Sequence, residues 1–109
     1  MNSDKISLII IDDDLSSRNT IKNYIRTSKC YFVAYDFSDA RSALVWLGNH
    51  RADIAICDMN MPDIDGIEFI TLALRFCPDL RFLAISAYSD FRYLRECMIH
   101  SVEDYLLKH

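Results

Sequence analysis

The chain has 109 residues, 51% of them apolar, with only 2 Gly and 2 Pro; this suits one compact domain and excludes collagen-like, linker-like and disordered classes. Acids outnumber bases 16 to 12, a net charge of -4, which argues against direct contact with nucleic-acid phosphates. No apolar run approaches the roughly 20 residues that span a bilayer. The N-terminus lacks the basic, apolar and small-residue segments of a secretory leader, so a cytoplasmic domain without membrane contact is expected.

The run Ile6 to Ile11 is β-branched and nearly continuous, as in a strand covered on both faces, and it stops at Asp12, Asp13 and Asp14. Asp14 reads as a solvated helix cap. From Leu15, the apolar residues Ile21, Tyr24 and Ile25 recur at helical spacing, with Arg18, Lys22 and Arg26 on the other side, to an end near Ser28. Cys30 to Phe37 is aromatic and β-branched, a second strand, and Ser38 is the expected N-cap of a helix with Ala40, Ala43, Leu44 and Leu47 on one stripe. Asp53 to Asp58 is a short buried strand, and Asp65 is the expected cap of a third helix with Glu68 at capping-box spacing and Ile67, Ile70 and Leu74 inward. Pro78 stops that helix. Leu80 to Ser86 follows as a strand, then a helix capped by Ser89 or Asp90 with Phe91, Leu94 and Met98 inward, then a last strand from Glu103 to Leu107.

Five strands alternating with helices predict an α/β domain with a doubly wound, five-stranded parallel sheet. Ligands of such sheets sit beyond the carboxyl ends of the strands. The residues ending the strands, Asp12, Asp13, Asp58, Ser86 and Lys108, are therefore the candidate site. Carboxylates held together repel unless a cation shares them, and an all-oxygen set suits Mg²⁺. A strand-end carboxylate can also be a nucleophile that takes a phosphoryl group, with Ser86 and Lys108 on its oxygens. Cys30, Cys57, Cys77 and Cys97 show no CxxC pair and read as reduced core or near-core thiols.

The segments Ile-Ile-Ile-Asp12-Asp13-Asp14 with Arg18, Ile-Cys-Asp58-Met-Asn60-Met-Pro62-Asp-Ile-Asp-Gly66, Ala-Ile-Ser86-Ala and Asp104-Tyr105-Leu-Leu-Lys108 together resemble the receiver domain of a two-component response regulator over essentially the whole chain, 1–109. The resemblance implies a flavodoxin-like fold with strand order 2-1-3-4-5. It implies a regulatory phosphoacceptor that assists its own phosphorylation and dephosphorylation rather than an enzyme, with Asp58 as phosphoacceptor and Asp13 as a direct metal ligand. Asp12 would act mainly through metal-bound water, and Asn60 would lend its main-chain carbonyl to Mg²⁺, with Mn²⁺ as a substitute. Ser86 and Lys108 would contact the phosphoryl group, and Ser86 and Tyr105 would form the switch pair. Asn60 and Tyr88 fall where family members tune phosphoryl lifetime. The implied partners are a sensor histidine kinase or phosphotransfer protein and an output domain beyond residue 109. The stretch Ser86-Ala-Tyr-Ser-Asp90-Phe-Arg-Tyr with Asp104-Tyr-Leu-Leu-Lys108 resembles receivers joined to arabinose-regulator-type helix-turn-helix domains, so transcription regulation through a DNA-binding output is expected.

Two positions depart from the family. His109 follows the lysine where a cis proline is usual, and Ser101 stands where a glycine often ends the fourth helix. The chain also stops before the family's fifth helix, which leaves a face of the sheet to be covered, for which a homodimer is one expected solution. Two other readings compete. A receiver-like binding module would never take up phosphate. A haloacid-dehalogenase-type phosphatase, whose strand-end motif Asp12-Asp13-Asp14-Leu-Ser16 also resembles, would use Asp12 as nucleophile but needs a further acidic pair and a cap domain.

Overall fold

The structure, a computed structural model, describes residues 5–58, 63–64 and 66–85. Their elements alternate: β1 (Ile6–Ile11), α1 (Leu15–Arg26), β2 (Tyr31–Phe37), α2 (Ala40–Leu47), β3 (Ile54–Asp58), α3 (Gly66–Phe76) and β4 (Arg81–Ile85). The four strands form one parallel sheet in the order β2-β1-β3-β4. This is the expected doubly wound arrangement as far as β4. The expected fourth helix and fifth strand, with Ser86, Tyr88, Tyr105 and Lys108, lie outside the described residues, as do Asn60 and the cap assigned to Asp65.

Successive strand residues point to opposite faces of a sheet, and both faces are covered here. On one, Ile9, Ile11, Ala55 and Cys57 pack with Ala40, Ala43 and Leu47 of α2 and with Phe69 and Ala73 of α3. On the other, Ile6, Leu8, Ile10, Ile54 and Ile56 pack with Ile21 and Ile25 of α1. That two-sided burial is why β1 and β3 read as nearly continuous apolar runs.

β2 changes phase halfway. Leu8 pairs with Val33 but Ile9 pairs with Tyr35, so Ala34 is an extra residue on β2, a bulge in a parallel pair. Before it, Tyr31 and Val33 face α1; after it, Phe37 faces α2 and meets Trp46 edge-on at 5.9 Å. The same shift turns Asp36 toward α1, where Arg18 and Lys22 hold it at 3.0 and 3.3 Å.

Three local expectations are corrected. The N-cap of α2 is Asp39, not Ser38: its Oδ1 accepts from the Ser42 amide at 2.7 Å, and a carboxylate one residue later is the stronger acceptor for a helix N-terminus. The inward stripe of α3 is Phe69 and Ala73 rather than Ile67 and Leu74, which are 71% and 39% exposed. The largest ring takes the core, edge-on to Phe82 at 6.1 Å, and rotates its neighbours outward. Cys30 is exposed, whereas Cys57 and Cys77 are buried. At the opposite end of the sheet from the strand-end acids, Asp53 accepts from the Ser7 amide at 2.8 Å and its hydroxyl at 3.1 Å, tying β1 to the start of β3.

Candidate functional site

Ile11 pairs with Cys57, so the next residues, Asp12 and Asp58, leave the carboxyl edge of the sheet side by side. Asp13 follows in the turn into α1. One carboxylate oxygen from each of Asp12, Asp13 and Asp58 lies within 4.8 Å of the others. The structure therefore brings together the three acids that the sequence singles out among the described residues. Asp14 is a cap, as expected, its Oδ2 accepting from the Ser17 amide at 3.1 Å.

The three acids could hold a cation. Asp12 is only 8% exposed. Burial raises its pKa above the ordinary value; a hydrogen bond from the Asp14 amide opposes this, and the charges of Asp58, Asp13 and Asp14 push it up further. Three hard oxygen donors that repel one another suit Mg²⁺ or another hard divalent ion. Next to them, the Cys57 thiol is pushed up to about 12 by burial and then by the charges of Asp58 and Asp12. It is a neutral thiol and offers no soft ligand.

Asp12 is fixed through both of its backbone polar atoms. Its amide donates to the Phe37 carbonyl at 3.1 Å, and its carbonyl accepts from Arg18 Nη1 at 2.6 Å. Its side chain accepts from the Asp14 amide at 2.9 Å. The sequence alone does not assign Asp36 or Asp63 a role. The signal for Asp36 is a single acid inside an aromatic strand; for Asp63 it is an acid just after Pro62 in the loop that follows Asp58. Asp63 reaches the start of α2, accepting from the Ala40 and Arg41 amides at 3.4 and 3.1 Å. Burial works to raise the Asp63 pKa, but backbone amide hydrogen bonds, led by those of Arg41 and Ala40, outweigh it and hold the carboxyl below its ordinary value. Among the described residues no helix is long and apolar enough to cross a membrane.

The family profile of the response regulator receiver domain matches residues 8–109. The transcriptional regulatory protein DegU of Brevibacillus brevis is 28% identical over 108 residues, 99% of this chain and 46% of that protein. The transcriptional regulatory protein HptR of Staphylococcus aureus is 31% identical over 103 residues, 93% of this chain and 40% of that protein. The chain thus spans less than half the length of these curated relatives. Among solved structures, the CheX-CheY-BeF3-Mg complex from Borrelia burgdorferi aligns with a TM-score of 0.66 at 26% identity, covering 86% of this chain and 71% of that one. With the parallel sheet, its order and the acids at its carboxyl edge, these matches show that the chain belongs to the response regulator receiver domains of two-component signalling.

Proposed function

We propose that this domain takes a phosphoryl group on Asp58 in a reaction assisted by Mg²⁺, and that the modified domain controls an output. The observation that carries this reading is the meeting of Asp12, Asp13 and Asp58 within 4.8 Å at the carboxyl edge of a parallel sheet. Asp12, Asp13 and Asp58, with the Asn60 main-chain carbonyl, would hold Mg²⁺ or Mn²⁺. The ion, when bound, would neutralise charge on the phosphoryl oxygens. The co-occurrence of Mg²⁺ and a fluoroberyllate in the CheX-CheY complex is in keeping with this.

Asp58 ends β3 and is the nucleophile. One of its carboxylate oxygens forms a bond to phosphorus as the donor's P–N bond breaks, and the leaving imidazole keeps the bonding pair and takes up a proton. The donor is the phosphohistidine of a sensor kinase or phosphotransfer protein. Ser86 follows Ile85, the residue that pairs with Asp58, and this supports its assignment to a phosphoryl oxygen. Lys108 takes another oxygen and Tyr105 answers Ser86 as the switch aromatic, both on the strength of the family motif. A transcription-regulating output is supported by DegU and HptR, and an arabinose-regulator-type output by the Ser86 to Tyr93 motif.

The test is intact-mass analysis after incubation with acetyl phosphate or phosphoramidate. One labile phosphate is expected with Mg²⁺, absent in EDTA and in Asp58→Asn. Incorporation that survives both changes would refute the reading.

A further inference from the structure

We infer that Arg18, anchored by Asp36, is a positioning residue of the acidic site: it holds the Asp12 carbonyl and thereby sets where the Asp12 and Asp13 carboxylates stand relative to Asp58. The inference rests on reading these three acids as an ion site.

The bonds close a ring. The Asp12 amide donates to the Phe37 carbonyl at 3.1 Å; Phe37 is covalently next to Asp36. Asp36 Oδ2 accepts from Arg18 Nε at 3.0 Å, and Arg18 Nη1 returns to the Asp12 carbonyl at 2.6 Å. The guanidinium side chain is 13% exposed and the Asp36 side chain 25%, so the ring is shielded from competing water. β1 ends at Ile11, which leaves the Asp12 carbonyl outside the strand proper. Arg18 supplies its donor from α1, and the bulge at Ala34 supplies the anchor by turning Asp36 to that side. Only a planar fork donates from two nitrogens in fixed directions at once, so lysine cannot reproduce the brace.

Lys22 provides the internal control. It too meets Asp36, at 3.3 Å, and is 33% exposed, yet no hydrogen bond joins it to Asp12 among those of the described residues. If Arg18 served only as an ion pair between α1 and β2, Lys22 would be its equivalent. If Arg18 aims the acids, the two differ at the metal. Mg²⁺ demands near-ideal octahedral ligands at about 2.0 to 2.1 Å, whereas Ca²⁺ accepts looser geometry. A small displacement of the Asp12–Asp13 backbone therefore harms Mg²⁺ binding more than Ca²⁺ binding.

The experiment is calorimetric titration of the chain with Mg²⁺ and with Ca²⁺, alongside thermal melts that confirm folding. Arg18→Lys and Arg18→Gln are expected to weaken Mg²⁺ binding by about 10-fold or more, the usual effect of losing an outer support of a metal ligand, with a smaller loss for Ca²⁺. Lys22→Met should bind both ions as the parent does. Should either Arg18 variant unfold, the pair Arg18→Gln/Asp36→Asn removes both charges together, leaves neither uncompensated, and is expected to show the same selective Mg²⁺ loss. Folded Arg18 variants within about twofold of the parent for Mg²⁺, or a Lys22→Met loss as large as theirs, would overturn the inference. A parent that binds Mg²⁺ no better than Asp13→Asn would overturn the ion site itself, a result distinguishable from the first.

Discussion

The substitution Asp12→Asn should make the metal-free domain more stable, although the residue belongs to the candidate ion site. An asparagine there keeps an oxygen to accept from the Asp14 amide, a bond of 2.9 Å in the parent, and removes one of three negative charges gathered within 4.8 Å. At that separation, two unit charges repel by about 1 kcal/mol in a water-like medium and about 3 to 4 kcal/mol at an effective dielectric of 20. Asp12 is buried and Asp13 exposed, so a net gain of about 1 to 3 kcal/mol is expected, at roughly 5 °C of melting temperature per kcal/mol in a domain of this size. Thermal and urea melts in EDTA measure it. Saturating Mg²⁺ should reverse the order, since an ion at about a hundred times its Kd stabilises the parent by about 2.7 kcal/mol and the variant by less. In EDTA the gap should also narrow on acidification. The native pKa of Asp12 lies above its ordinary value of 3.8, so the cost of the charge is complete above the native pKa and disappears as the pH falls toward that ordinary value. An Asp12→Asn chain that melts at or below the parent in EDTA at neutral pH would refute the picture of three mutually repelling carboxylates.

Phe69→Ala empties a fully buried position and should cost about 3 to 5 kcal/mol, much of the stability of a typical domain, read as a lower urea midpoint. Alkylation mapped by mass spectrometry should label exposed Cys30 quickly in the native state; buried Cys57, with its thiol pushed up to about 12, should react only under unfolding conditions, and quick native labelling of Cys57 would contradict its burial. Asp63→Ala should destabilise by about 1 kcal/mol, as loss of a helix cap does. Because the native Asp63 pKa is lowered, that contribution is complete above the unfolded-state pKa and fades as the pH falls through the native one, so parent and variant should converge in acid urea melts.

The parts legible in the sequence are those where a single physical rule governs. β1 and β3 are apolar on both faces and each runs into aspartate, so the strands and the site residues at their ends, Asp12, Asp13 and Asp58, follow from one pattern. Where two rules agree on neighbouring residues, the sequence leaves a tie that packing breaks. Ser38 and Asp39 are both good caps, and the carboxylate prevails. Ile67, Phe69, Ile70 and Leu74 supply two overlapping helical stripes, and the volume of the Phe69 ring decides between them. The partners of Arg18 are least legible, because Asp36 reaches it only through a pairing irregularity that no alternation of residue types announces.

That irregularity also gives β2 one residue of slack. Removing Ala34 would join Val33 directly to Tyr35, and each would keep its neighbour on β1, Leu8 and Ile9. Asp36 would still turn to Arg18 and Phe37 to Trp46, because the register beyond the splice is already that of a regular strand. β3 holds no such reserve: its pairing with β1 runs without a break from Ile54 to Cys57. Loss of Ala55 would send the side chains on one side of the splice to the wrong face, as a slip of one position does in any sheet, and would draw Asp58 a residue out of step with Asp12. Ala34 and Ala55, on strands that β1 separates in the same sheet, thus differ sharply in what their deletion would do, and the strand that ends at Asp58 is the one with no length to spare.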